Sequence, residues 1–311
     1  MSKELDQFKE DVQNMEDLGK RAGDLLELAE IGEDEANIAK QIQELQKAIA
    51  QEERKTFLAG KYDRNDAIFT ITAGAGGQEA QDWATMMLRM YERYCQRRGW
   101  NTQILSQSFG DPGPEGRIGT KQVTIEIRGQ YAFGLLKRES GVHRLVRISP
   151  FSSQQLRHTS FAAVEVIPRI VEGADQEIQV KPEDIRVDVF RASGPGGQNV
   201  NKRETAIRIT HLPTNIIVGC QTQRTQQENR QKAMDMLVGK LAALKEQERQ
   251  GELAKLKGQK SSIEWGSQIR SYVLHPYQMV KDMRTDVETS DTQAILDGEL
   301  DEFIESELRL L

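Results

Sequence analysis

The chain has 311 residues, 37% of them hydrophobic and 29% charged, with a net charge of -6. That length allows two or three domains, each with its own core, and no apolar run approaches the roughly 20 residues of a membrane span. Cys95 and Cys220 lie too far apart to suggest a disulfide framework, and the start MSKELDQFKEDV lacks the apolar segment of a leader, so a cytoplasmic setting is expected. The charge is uneven: residues 186–260 hold 14 Lys and Arg against 7 Asp and Glu, while residues 1–60 hold 8 against 15. A basic stretch between acidic ends suits a protein that meets phosphates with one part only. A solvated, lysine-rich helical face is the plainer alternative.

Two helices are expected over residues 3–58. Leu5, Phe8, Val12, Met15 and Leu18 recur at steps of three and four, as do Ile38, Ile42, Leu45 and Ile49; the polar stretch at 31–35 separates the two sets, and Gly60 is placed to end the second. The period then changes. Ala67 to Thr72 reads as a strand, followed by the glycine turn Ala73-Gly-Ala-Gly-Gly-Gln-Glu-Ala80 and an amphipathic helix through Trp83, Met87 and Tyr91 to Gly99. Strand, glycine turn and helix start form an anion cradle, but Glu79 stands where the third glycine of a dinucleotide fingerprint belongs. A tight turn with an acidic helix start and hydrogen bonding to an uncharged base edge are the two readings left.

Strands are expected at 102–105 and 123–128, with a short helix at 131–137. His143 to Ile148 is a further strand, stopped by the turn Ser149-Pro150-Phe151, because Pro150 cannot donate to a ladder and stiffens the loop. Arg157, His158 and Thr159 lead into the strand 161–167. A stiff turn beside an exposed His and Thr fits either a capped hairpin loop or the recognition of single-stranded RNA, which uses aromatic stacking and hydroxyls. Strands at 185–190, 206–210 and 216–220 precede a long basic helix at 225–256, with Ala233, Leu237, Leu241 and Leu244 as its packing face. The segment 257–262 reads as a connector, and a strand at 269–274 and an acidic helix from about Leu300 close the chain.

Between the strands at 185–190 and 206–210 lies Arg191-Ala-Ser-Gly-Pro-Gly-Gly-Gln-Asn-Val-Asn-Lys-Arg203. Its glycines bring bare backbone close to a ligand, its terminal cations point to an anionic one, and Gln198 offers an amide that does not titrate. His143, His158, His211 and His275 have no zinc spacing with the cysteines, and no nucleophile elbow, Walker lysine or H-E-x-x-H is present. No metal and no cofactor is expected. Chemistry at this loop would work by placement, with backbone N–H groups aimed at charge developing on an oxygen and water as the nucleophile.

The stretches RASGPGGQNVNK, AGAGGQEAQDW, GVHRLVRISPF, RHTSF and IEWGSQIRSYVLHPYQMVKD resemble the bacterial peptide chain release factors, from about residue 60 to the end. Ser149-Pro150-Phe151 resembles the anticodon-like tripeptide of the form that reads UGA and UAA. The resemblance implies an α+β multidomain protein. Its parts are a helical hairpin (1–62), an α/β stop-codon recognition domain (63–177), a hydrolysis domain of sheet and long helix (178–260), and a C-terminal segment packing on the codon domain (261–311). It implies that Gly196, Gly197 and Gln198 act on the peptidyl-tRNA ester, with Gln198 working through its main chain and open to N5-methylation. Gly76 and Glu79 would read the first uridine, Ser149, Pro150 and Phe151 the second base, and His158 and Thr159 the second and third. Its implied partners are the ribosome at the decoding and peptidyl-transferase centres, the mRNA stop codon, P-site peptidyl-tRNA, a glutamine methyltransferase and a GTPase recycling factor, with the chain itself a monomer. Such factors are usually not given an enzyme class of their own. Three departures stand out: the loop after Phe151, which in the family usually begins with an aspartate and holds a glycine and two arginines, is here Ser152-Ser-Gln-Gln-Leu-Arg157, Asn199 replaces a common histidine, and one hairpin stands where the family has a longer bundle. Two alternatives are a rescue hydrolase without strict codon dependence and a non-catalytic RNA-binding regulator.

Overall fold

The computed structural model describes residues 2–31, 35–58, 60–112, 118–170, 180–191, 205–223, 225–256 and 268–310. The chain divides into two compact units, residues 1–59 and 60–311. The first is a hairpin of α1 (Ser2–Ile31) and α2 (Glu35–Thr56). Among its described residues it buries Leu25 and Leu45, whereas Val12 and Met15, expected on the packing face, are 58% and 63% exposed. Two helices alone cover only a narrow seam, so most of an apolar stripe stays in water. The helix α2 ends at Thr56, short of Gly60, whose N–H is instead accepted by Asp63 Oδ2 at 2.9 Å in the following turn.

The second unit is built on an eight-stranded sheet in the order β11-β10-β9-β4-β5-β1-β3-β2. Its strands are β1 (Ala67–Ala73), β2 (Asn101–Pro112), β3 (Ile118–Arg128), β4 (Gly141–Ile148), β5 (Arg157–Pro168), β9 (Gln268–Val273), β10 (Met279–Asp282) and β11 (Glu288–Thr289). Pairing is antiparallel except between β4 and β9, so the C-terminal strands extend the same sheet. Two short helices, α4 (Ala132–Leu136) and α6 (Thr292–Leu296), and the last helix, α7 (Asp301–Leu308), flank it. The strand β2 runs well past the expected 102–105, because its polar second half is held by register with β3 across bulges rather than by its own hydrophobic pattern. The strands β10 and β11 and the helix α6 were not foreseen.

Successive residues of β1 point to opposite faces. Phe69 meets Tyr91 of α3 (Gln78–Arg97) with ring centroids 4.5 Å apart. On the other face Ile68, with Leu105 and Ile167, joins a core formed by β7 (Ala206–His211), β8 (Ile216–Cys220) and α5 (Gln226–Leu256). Together with β6 (Ile185–Phe190) these strands make a separate antiparallel sheet, β6-β7-β8.

All residues from Ala233 to Gly239 of α5 are buried. The expected stripe of Ala233 and Leu237 is therefore only part of the contact, because this helix lies between two sheets and is covered on more than one side. Gly239 lets it approach: an added Cβ would lie 2.4 Å from the Pro168 carbonyl oxygen. Two cations of the basic block are used internally, since Lys232 reaches both oxygens of buried Glu126 at 2.8 and 2.7 Å and Lys240 meets Glu165 at 2.8 Å. Among the described residues no helix is long and apolar enough to cross a membrane. Both cysteines are free and buried.

Candidate nucleic-acid interface

The glycine turn before α3 is clamped to the start of β5. The Gly74 N–H donates to the Phe161 carbonyl at 2.8 Å, and the Phe161 N–H donates to the Ala75 carbonyl at 3.0 Å. The next residue, Gly76, sits at φ +133°, and a Cβ there would lie 2.8 Å from Cβ of Ser160. Only glycine fits that approach at that angle. The helix N-cap, Gly77, supplies no side-chain cap. The first-turn amides of α3 have no carbonyl within the helix to bond, by the geometry of any helix start; His158 and Thr159, which precede Ser160 on β5, are exposed. Ser160 itself is fully buried, and its hydroxyl has no hydrogen-bond partner among the described residues.

Glu79 is 3% exposed, and its carboxylate is held on both oxygens: Arg147 Nε donates to Oε1 at 2.5 Å and Ser149 Oγ donates to Oε2 at 2.5 Å. Arg147 also bonds Asp82 and lies 3.1 Å from Met86 Sδ. The Ser149 oxygen in turn accepts the Phe151 N–H at 3.2 Å, while the Ser149 N–H reaches the Leu156 carbonyl at 3.0 Å. This closes the turn after β4, leaving Pro150 exposed and Phe151 half-buried.

The structure thus brings Gly76, Glu79, Ser149, Pro150, Phe151, His158 and Thr159 to one edge, where the start of α3, the end of β4 and the start of β5 meet. Arg147 and His158 are register partners across β4 and β5. Two of these side chains do not face outward. Glu79 and Ser149 turn toward each other, because Arg147 and Ser149, two residues apart on a strand, share the face that looks at α3. Gly196, Gly197 and Gln198, with the connector at 257–262, lie outside the described residues. The strands that carry the loop are paired Phe190 to Ala206, so it leaves and re-enters at one end of the smaller sheet.

Arg147, Asp82 and Ser160 were missed from sequence. For the first two a signal existed: Glu79 and Asp82 stand three apart on one helical face, and an arginine two residues before Ser149 projects to their side. Ser160 had no such signal, because only the tertiary approach of Gly76 gives it a role. Among the described residues no group of three or more His, Cys, Asp or Glu could hold a metal ion.

Family models match along most of the chain: a PCRF domain over residues 1–164 and an RF-1 domain over residues 174–284. Peptide chain release factor 2 of Thermomicrobium roseum is 49% identical over 98% of this chain and 80% of its own length. The protein of the same name from Thermotoga petrophila is 52% identical over 86% of this chain and 71% of its own. A solved structure of RF2 of Thermus thermophilus aligns with a TM-score of 0.78 at 43% identity, covering 99% of this chain and 86% of that one.

Proposed function

The chain belongs to the bacterial peptide chain release factor 2 family, and from that premise we propose how its residues divide the work. It terminates translation, recognising stop codons on the ribosome and promoting hydrolysis of peptidyl-tRNA. The codons are UGA and UAA, and the comparisons lend no support to ribosome rescue as the alternative. Residues 63–177 and 261–311 form the codon-reading part, residues 178–260 the hydrolysis part, and residues 1–62 a helical appendage.

The observation that carries the assignment of codon-reading residues is the convergence at one edge of seven residues drawn from three separate stretches. Free amides at the start of α3, around Gly76 and Glu79, match the carbonyl acceptors of a uridine edge. The Glu79 carboxylate, turned inward, then acts on the base indirectly by holding Ser149 and Arg147. The turn of Ser149, Pro150 and Phe151 faces the second base, His158 stacks and Thr159 contacts the third. At the loop, Gly196 and Gly197 let the Gln198 main-chain N–H meet the charge that develops when water attacks the ester carbonyl and the tRNA 3′ oxygen departs. Gln198 is the residue a glutamine methyltransferase would modify, and a GTPase recycling factor would remove the protein afterwards.

The test is release of formylmethionine from ribosomes programmed with UGA, UAA, UAG or a sense codon. Release on UGA and UAA alone is expected; equal rates on all four would overturn codon reading. Gly197→Ala should lower the release rate by about a hundredfold or more, the size of losing one oxyanion donor, with codon-dependent binding intact. For the reading edge, Gly76→Ala places a methyl against Ser160 in a backbone region worth about 1 to 3 kcal/mol of strain. Half-maximal release on UGA should then need more protein, while the maximal rate is kept.

A further inference from the structure

Between the β6-β7-β8 sheet and the large sheet a cavity of about 410 Å³ opens, a size usual for small-molecule sites. Its floor carries Ser106, Ser108 and Thr124 from β2 and β3; Phe190, Arg208 and Gly219 form the opposite wall. No carboxylate is among its lining residues.

Its donors are unusually free. The Arg208 guanidinium lies over the Phe190 ring, 5.2 Å from its centroid, and has no carboxylate partner among the described residues. Asp188, its register partner on β6, instead meets Arg186 at 3.4 Å. The hydroxyls of Ser106 and Ser108 make no hydrogen bond among the described residues, whereas Thr124 shares one with Thr70 at 3.1 Å. Lys240, also on the wall, is neutralised by Glu165 at 2.8 Å.

One guanidinium without a direct carboxylate contact, held in place by an aromatic face and grouped with hydroxyl donors, matches an acceptor-only tetrahedral anion. The neighbouring Ile217 and Met236 offer apolar contact for what that anion is attached to. We propose that this cavity binds a phosphate group, free or carried by an ester the size of a mononucleotide. Because the two walls come from different sheets, the ligand bridges the smaller sheet and the larger one, and binding stabilises that docked arrangement by mass action.

Calorimetric titration of the full chain with adenosine 5′-monophosphate, inorganic phosphate and adenosine tests this. Saturable binding of one or both phosphates is expected, with none by adenosine; which of the two is tighter identifies the source. Arg208→Gln should weaken it by about tenfold or more, the scale of a charge-assisted bond. Gly219→Val provides a blocking variant: a Cβ there would meet only the Ile207 carbonyl oxygen at 3.4 Å, and it would share the face of Arg208, its register partner. That variant should melt as the parent does and bind neither phosphate. Absence of saturable binding by both phosphates, equal binding of adenosine, or unchanged affinity in folded Arg208→Gln would each overturn the proposal. So would binding of an oligoribonucleotide alone, which would make the cavity part of an RNA surface.

Discussion

Arg270→Met is expected to cost the folded chain about 3 to 5 kcal/mol or more, the range for breaking a buried ion pair. Arg270 on β9 is fully buried and holds the Glu139 carboxylate with two bonds, at 2.7 and 3.0 Å, reaches Asp282 of β10 at 3.3 Å and bonds Glu307 of α7. Arg284 joins the last two, donating to Asp282 at 2.8 Å and to Glu307. Two guanidinium groups thus face three buried carboxyls, and His143 adds no charge, because burial pushes its imidazole down to about 4. Removing one guanidinium strands carboxyls on three separate elements. Urea unfolding of the variant should show the loss, and a deficit below about 1 kcal/mol, the scale of an exposed pair, would contradict this reading.

The same cluster sets a pH dependence. Burial and the neighbouring Glu139 charge, outweighing both arginines, push Glu307 up to about 10, so at neutral pH it keeps its proton and the cluster balances. In the unfolded chain this carboxyl ionises near its ordinary 4.5. The folded state then holds a proton that the unfolded state has released, and stability falls as pH rises between those two values, by at most about 1.4 kcal/mol per unit. Glu307→Gln keeps the oxygen for the arginines and puts an amide where Oε2 has no hydrogen-bond partner among the described residues. It should flatten the alkaline decline and leave the protein more stable at pH 8 to 9 than the parent. Parallel stability profiles for the two proteins would show that Glu307 is ionised in the fold.

Arg147→Met should both destabilise the protein and blur codon reading. It leaves the Glu79 carboxylate, 3% exposed, without its cation, a loss of about 3 kcal/mol at the lower end of the buried-pair range. The Ser149 turn then loses the fixed acceptor that holds its hydroxyl. On UGA-programmed ribosomes the concentration for half-maximal release should rise by about tenfold, with little change in the maximal rate, since the hydrolysis loop is not touched. Arg147→Lys restores the charge but not the fork that spans Glu79 and Asp82, and should recover only part of the effect. A double-mutant cycle with Glu79→Gln separates the pair from the rest. Additive losses would mean that the two side chains act independently.

Much of the local structure was legible in the residues. Val, Ile and Thr runs marked most strands, and glycine or proline marked their ends, because φ restrictions and side-chain branching act within a few residues. What escaped depended on contacts distant in the chain. The polar half of β2 exists through pairing with β3, and the short β10 and β11 extend a sheet that reaches back to β4. The stripe read on α5 was incomplete because a helix covered on several sides has no polar face to give it away. Lysines counted as cations for phosphate, Lys232 and Lys240, turned out to serve Glu126 and Glu165.

The site divides along the same line. The residue types at Gly76, Glu79, Ser149, Pro150, Phe151, His158 and Thr159, and at the Gly196 to Gln198 loop, are stated by the chain itself, since turn geometry and side-chain chemistry are local properties. Their juxtaposition at one edge, the inward turn of Glu79 and Ser149, and the burial of Arg270 among three carboxyls are not. Those follow from which faces of α3, β4, β5 and α7 come together, a matter of packing between segments as far apart as residues 139 and 307, and the balance of desolvation against pairing that sets their charges exists only once they are packed.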